Sequence, residues 1–85
     1  MKSLIVDVRE PYEYALGHVE GAINIPLSKI TEEASLIMQA PKDSKIILYC
    51  NSGNRSGSAI KMLKQKGYTN LINGINKQQT TLRYL

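Results

Sequence analysis

The stretch "KIILYCNSGNRSGSAIKMLKQKG", residues 45–67, decides the fold. Its apolar opening, "KIILYC", reads as a strand buried on both faces, as at the middle of a parallel sheet. Six small or polar residues follow, and then Ala59, Ile60, Met62 and Leu63 recur at helical spacing with Lys61, Lys64 and Lys66 outward. Gly67 stands where a left-handed cap glycine belongs, and basic residues in the last turn suit the helix dipole. Strand, tight loop and helix in that order make a βα unit.

The flanks repeat the alternation. "SLIVDV" (3–8) and "GAINIP" (21–26) read as strands, with a short helix between them that Pro11 opens and Gly17 ends. Residues 27–41 carry Ile30, Ala34, Ile37 and Met38 at helical spacing, which predicts one helix capped by Ser28 or Thr31 and closed by Pro41. "TNLING" (69–74) reads as a fourth strand and "NKQQTTLRYL" as a last helix of modest propensity. The pattern predicts an α/β domain with a small parallel sheet of about four strands and helices on both faces. Ligands of such sheets bind beyond the carboxyl ends of the strands, where Cys50 falls.

Bulk properties narrow the function classes. At 85 residues the chain has room for one domain, 1–85, with an aliphatic core, since it holds no Phe or Trp and only five Tyr. One Cys and one His exclude a disulfide framework and leave too few ligands for a zinc site, so no metal is expected. The net charge is +4, yet no two basic residues adjoin and aromatics do not interleave with them, which argues against nucleic acid. No apolar stretch approaches a membrane span, and "LIV" near the start is too short for a secretory leader. The expected compartment is the cytoplasm, or the periplasm if a leader has been trimmed.

The loop "CNSGNRS" carries the chemistry. Gly53 permits the φ > 0 that so tight a curl demands, and Asn51 or Asn54 tolerates it better than most residues. Successive N–H groups from Asn51 to Ser56 then face inward as an anion cradle, with the positive end of the next helix behind them. Arg55 adds a permanently charged fork. All of this favours a thiolate, the nucleophilic form, and predicts a lowered Cys50 pKa to which Arg55 contributes. A lone cysteine is more often a buried small hydrophobe, but packing alone does not account for the loop that follows it. Cysteine phosphatases and arsenate reductases of this general design place five residues between Cys and Arg. Four stand here, a tighter cradle that suits a single sulfur better than a phosphoryl group. No Asp is placed to serve a phosphatase as general acid.

The loop and helix "YCNSGNRSGSAIKMLKQKGYTNL" resemble the active-site segment of rhodanese-like sulfurtransferases. Separately, "IVDVREPYEYALGHVEGAINIP" (5–26) is similar to that family's N-terminal signature, Asp-Val-Arg leading through Gly-His to Gly-Ala-x-Asn-Ile-Pro. In size and start point the chain is most similar to the small single-domain rhodaneses of the phage-shock type. Longer members have a further strand before the Asp-Val-Arg segment. The family usually has Gly-Gly and often Trp after the last strand, where this chain has Asn73–Gly74 and no Trp.

The resemblance implies sulfane-sulfur transfer through a persulfide on Cys50, without a cofactor. Asn51, Ser52, Gly53, Asn54, Arg55 and Ser56 would bind the substrate or the persulfide. The implied partners are a small anionic sulfur donor such as thiosulfate and a thiophilic acceptor, cyanide or a thiol or protein thiol, acting on a monomer. The alternatives are a persulfide carrier or partner-binding module with little turnover of its own, and a silent scaffold, which the presence of Cys50 and Arg55 disfavours. Asp7 and Arg9 are expected to support the site structurally, pairing with each other or with the loop. His18 is read as a hydrogen-bonded structural histidine, Asn24 as a tie between loops, and Ser56 foremost as a helix cap.

Overall fold

Ile46, Ile47, Leu48 and Tyr49 are all buried, and they form the strand on which the rest of the molecule is assembled. In this computed structural model residues 3–85 are described; Met1 and Lys2, where the reading of a leader begins, lie outside them. The elements follow as β1 (Leu4–Asp7), α1 (Pro11–Ala15), β2 (Ile23–Asn24), a 3-10 turn (Leu27–Lys29), α2 (Leu36–Gln39), β3 (Ile46–Tyr49), α3 (Asn54–Gln65), β4 (Leu71–Ile75) and α4 (Lys77–Tyr84). The four strands are all parallel, in the order β2-β1-β3-β4. Each parallel step needs a crossover, and the intervening helices supply it.

Alternate residues of the inner strands feed two cores. Val6, Ile46 and Leu48 point to the face covered by α2 and α3, where they meet Ile37, Ala59, Leu63 and Tyr68. Tyr49 and Ile5 point to the other face, against Val19 and Ala22. α4 lies on that second side, with fully buried Thr80 against Gly74 of β4. A four-strand parallel sheet with helices on both faces is thus what forms. By contrast α1 buries none of its residues; its half-buried Tyr14 stacks on His18 and donates its hydroxyl to the Ala22 carbonyl.

Residues 27–41 are not one helix. The chain makes the 3-10 turn and further single turns, Glu32 N to Lys29 O and Ser35 N to Glu32 O. Ser35 is extended at ψ 150°, and its hydroxyl accepts the Met38 amide, so α2 starts there rather than at Ser28 or Thr31. A serine that caps its own new helix competes with continuation of the old one. Ile30 and Ile37 are buried as expected, whereas Ala34 is exposed on the connecting turn.

β4 carries a bulge. Leu48 faces Asn73 and Tyr49 faces Ile75, which leaves Gly74 as the extra residue. A Cβ on Gly74 would collide with Thr80 Oγ1 and press on Ile47, so any larger residue must displace the Thr80 side chain. The bulge puts Ile75 at φ 73°, the one non-glycine residue with positive φ among the described residues. A β-branched side chain seldom accepts that conformation.

Candidate active site

Cys50 is the first residue after β3, and its amide still bonds across to the Ile75 carbonyl at 3.2 Å. The chain then curls through Gly53, whose φ of 89° is the left-handed value the curl requires, and enters α3 at Asn54. Neither Asn51 nor Asn54 takes positive φ; Gly53 does that alone in the loop. The curl aims the Gly53 N–H at Cys50 Sγ from 3.1 Å and brings Ser56 Oγ to 3.6 Å from the same sulfur. Cys50 itself is 1% exposed. Burial pushes its thiol up, but the Ser56 amide and hydroxyl and the amides of Ser52 and Gly53 outweigh it and hold the pKa at about 7. The N-terminus of α3 adds its positive end.

Ser56 is not the helix cap. Gly53 occupies that position, and Ser56 sits inside the first turn, fully buried, with its hydroxyl donating to Asn73 Oδ1 at 2.7 Å. Asn73 reaches back over the loop with its whole amide. Nδ2 donates to the Gly53 carbonyl at 3.1 Å, and Oδ1 also accepts the Ile75 amide at 2.9 Å. The position that departs from the family pattern is therefore a brace of the cysteine loop.

Arg55, expected to help bind an anion, lies with its fork on Glu13 of α1. Its Nη1 and Nη2 lie 2.7 and 3.0 Å from the two carboxylate oxygens. Asn51 Nδ2 donates to the same carboxylate at 2.8 Å, and the Glu10 amide donates to it at 2.9 Å. The arginine hydrogen bonds, helped by that amide, hold the Glu13 carboxyl down at about 2, and Glu13 in turn raises Arg55. The largest causes that lower Cys50 are the Ser56 amide and hydroxyl and the amides of Ser52 and Gly53, while Arg55 is coupled to Cys50 through its charge, as expected, with Glu13 as its hydrogen-bond partner. Asn54 and Ser52 are exposed on the outer side of the loop.

Asp7 and Arg9 pair with each other, at 2.7 Å between Arg9 Nη2 and Asp7 Oδ2, and both are buried. Tyr49 Oη donates to Asp7 at 2.8 Å while accepting the Val19 amide at 3.0 Å. Burial above all pushes the Tyr49 hydroxyl up to about 12, so it stays a donor. Arg9 also reaches the Gly17 carbonyl, and Asn24 Nδ2 bonds the carbonyls of Asp7 and Arg9. His18 donates from Nδ1 to the Tyr14 carbonyl and stacks on the Tyr14 ring at 3.7 Å. These residues tie segments together, and none of their hydrogen bonds goes to Cys50. Beside the loop, Arg9, Asn51, Asn76, Lys77 and Gln78 line a depression of about 400 Å³.

Two participants escape a reading of the sequence. Glu13 looks like an ordinary acid in the first turn of a helix, and nothing local announces a partner 42 residues on. Asn73 registers only as a departure, without its reach to Ser56 and Gly53.

This chain and its fold have known counterparts. The family model for the rhodanese-like domain matches residues 1–79. The chain belongs to the rhodanese-like domain family. This rhodanese-like domain is 41% identical over 68 residues to the thiosulfate sulfurtransferase PspE of Escherichia coli, which covers 80% of the chain and 64% of PspE. It is 41% identical over 69 residues to the tRNA uridine(34) hydroxylase of the same species, covering 78% of the chain and 20% of the hydroxylase. The chain thus spans less than two thirds of the length of either relative. Among solved structures, a rhodanese with anions from E. coli superposes with a TM-score of 0.82 at 36% identity, over 92% of this chain and 91% of that one. A rhodanese-related protein from Thermoplasma volcanium follows at 0.73 and 32%, over 94% of this chain and 76% of its own.

Proposed function

We propose that this rhodanese-like domain is a sulfurtransferase whose Cys50 carries sulfane sulfur from a donor such as thiosulfate to a thiophilic acceptor. The observation that carries the reading is the sulfur at the end of β3, held near pKa 7 by inward-facing amides. At neutral pH a large fraction of such a thiol is thiolate, so the nucleophile needs no separate base. The name of the relative PspE supports thiosulfate as donor.

The Cys50 thiolate attacks the outer sulfur of thiosulfate. The new S–S bond forms as the bond to the sulfonate sulfur breaks, and sulfite leaves with that electron pair. The product is a Cys50 persulfide anion, whose terminal sulfur the N–H groups from Asn51 to Ser56 would hold. An acceptor thiolate, or cyanide, then attacks the terminal sulfur, takes it, and returns Cys50 as thiolate. Arg55 acts in this scheme by bracing the loop through Glu13, and the donor's charge is met by the amides and the N-terminus of α3. Asp7, Arg9 and His18 act only through the framework.

Intact mass after thiosulfate treatment tests the proposal. A gain of one sulfur atom, removed by cyanide and absent from Cys50→Ser, is expected. No adduct with thiosulfate or with a low-molecular-weight persulfide overturns it. Loading without catalytic turnover would instead favour the carrier reading, consistent with this domain's likeness to a fifth of a larger enzyme.

A further inference from the structure

Hydrogen bonding leaves Asn73 no choice in how its amide is turned. Oδ1 accepts the Ile75 N–H, a group that only donates, and Nδ2 donates to the Gly53 carbonyl, an atom that only accepts. The third contact, between Oδ1 and Ser56 Oγ, must therefore use the serine's proton, because an amide oxygen has none to give. A hydroxyl has one proton. Toward Cys50 Sγ, 3.6 Å away, Ser56 then presents only lone pairs. That arrangement welcomes a neutral S–H and opposes a sulfur anion.

We propose that Asn73 is a positioning residue that governs the ionisation of Cys50 by holding the proton of Ser56. In the thiol form the serine proton rests on Asn73 Oδ1, and the Cys50 S–H points at the serine oxygen. When the cysteine proton leaves to solvent, the Ser56 hydroxyl rotates and donates to the thiolate, while Asn73 Oδ1 keeps the Ile75 amide as its remaining donor. Ser56 is fully buried, so its hydroxyl has these two protein partners to choose between. Asn73 thereby sets the free energy of the rotation and acts as a brake on the resting thiol. Its other end, on the Gly53 carbonyl, keeps the neighbouring Gly53 N–H trained on sulfur in both states.

The proposal rests on Cys50 being the reacting group, but its test reads thiol ionisation and not sulfur transfer, so the two stand or fall separately. The rate of Cys50 alkylation by iodoacetamide is measured against pH for the wild type, Asn73→Ala, Asn73→Asp, Ser56→Ala and the Asn73→Ala/Ser56→Ala double variant. Asn73→Ala frees the serine proton, so the midpoint moves down and alkylation below it quickens several-fold. Asn73→Asp keeps both acceptor contacts, grips the proton harder and adds a charge, so its midpoint rises by about one pH unit or more. In the Ser56→Ala background, Asn73→Ala leaves the midpoint where it is. Unchanged midpoints in both single variants overturn the proposal, even if thermal stability falls, since Asn73 would then be a brace alone. So does an Asn73→Ala shift that persists undiminished without the Ser56 hydroxyl. If Asn73→Ala does not fold, Asn73→Asp is compared with Asn73→Asp/Ser56→Ala: a rise that shrinks without the serine hydroxyl supports the proposal, and an equal rise is the added charge alone and overturns it.

Discussion

Arg55 spends both terminal nitrogens on Glu13, a residue 42 positions earlier in the chain. The loop's guanidinium is thus part of the architecture that joins α1 to the cysteine loop. Glu13→Gln and Arg55→Lys are each expected to lower stability by about 1 kcal/mol, with the double variant little worse than the poorer single one. Urea denaturation of the four proteins measures this coupling. Fully additive losses would show that the pair does not act as a unit.

The pH dependence of Cys50 follows from its position among the amides. Alkylation is expected to rise through a midpoint near pH 7 and level off above it, because the thiolate is the reacting form. Arg55→Gln is expected to move that midpoint less than Ser56→Ala does. The reverse ranking, read from the same pH series, would make the Arg55 charge and not the Ser56 hydroxyl the larger influence on Cys50.

Linkage gives both acids a signature in stability. The folded Cys50 pKa of about 7 lies below the ordinary thiol value of 9.0. Its contribution is therefore full above pH 9 and is lost as pH falls through 7. Glu13, lowered from 4.5 to about 2, contributes fully above 4.5 and loses that contribution as pH falls toward 2. Against the wild type, Cys50→Ser is expected to lack the first slope and Glu13→Gln the second. Parallel stability curves across either window would contradict the corresponding assignment.

The buried ion pair is the most sensitive point of the framework. Asp7→Asn leaves buried Arg9 without its counter-charge and is expected to cost about 3–5 kcal/mol. Tyr49→Phe removes one hydroxyl but strands the Val19 amide and one Asp7 lone pair, an expected loss of about 1–3 kcal/mol. Chemical denaturation ranks the two, and a loss below 1 kcal/mol for Asp7→Asn would refute the reading.

Gly74 has no room for a methyl group. Gly74→Ala is expected to destabilise by about 1–3 kcal/mol, and Thr80→Ala in the same chain to recover part of the loss by clearing the hydroxyl from above it. A thermal melt in which the double variant falls below Gly74→Ala alone would place the strain elsewhere.

The framework was legible in the sequence wherever one segment decides its own structure. The run 46–49 is apolar at every position and forms the buried strand; the spacing of Ala59 and Leu63 with Gly67 after them marks α3 and its end. Cys50 and its loop were legible for the same reason, being contiguous. Residues 27–41 misled because buried Ile30 and Ile37 keep helical spacing across a break that a single serine hydroxyl creates. Glu13 and Asn73 stayed hidden because their roles lie in partners 42 and 17 residues away. The bulge that sets Ile75 at positive φ could not be foreseen either, since an isoleucine argues against that conformation.

α1 buries no side chain, and Glu13 is its link to Arg55 and Asn51. In terms of local opening, a helix of five residues with no fully buried side chain is among the first elements to unwind, at a free energy well below that of global unfolding. Each such excursion withdraws Glu13 and sets the Arg55 fork free beside Cys50. The amide protons of α1 are thus expected to exchange far faster than those of β3, and their rate counts how often the mouth of the site changes its charge.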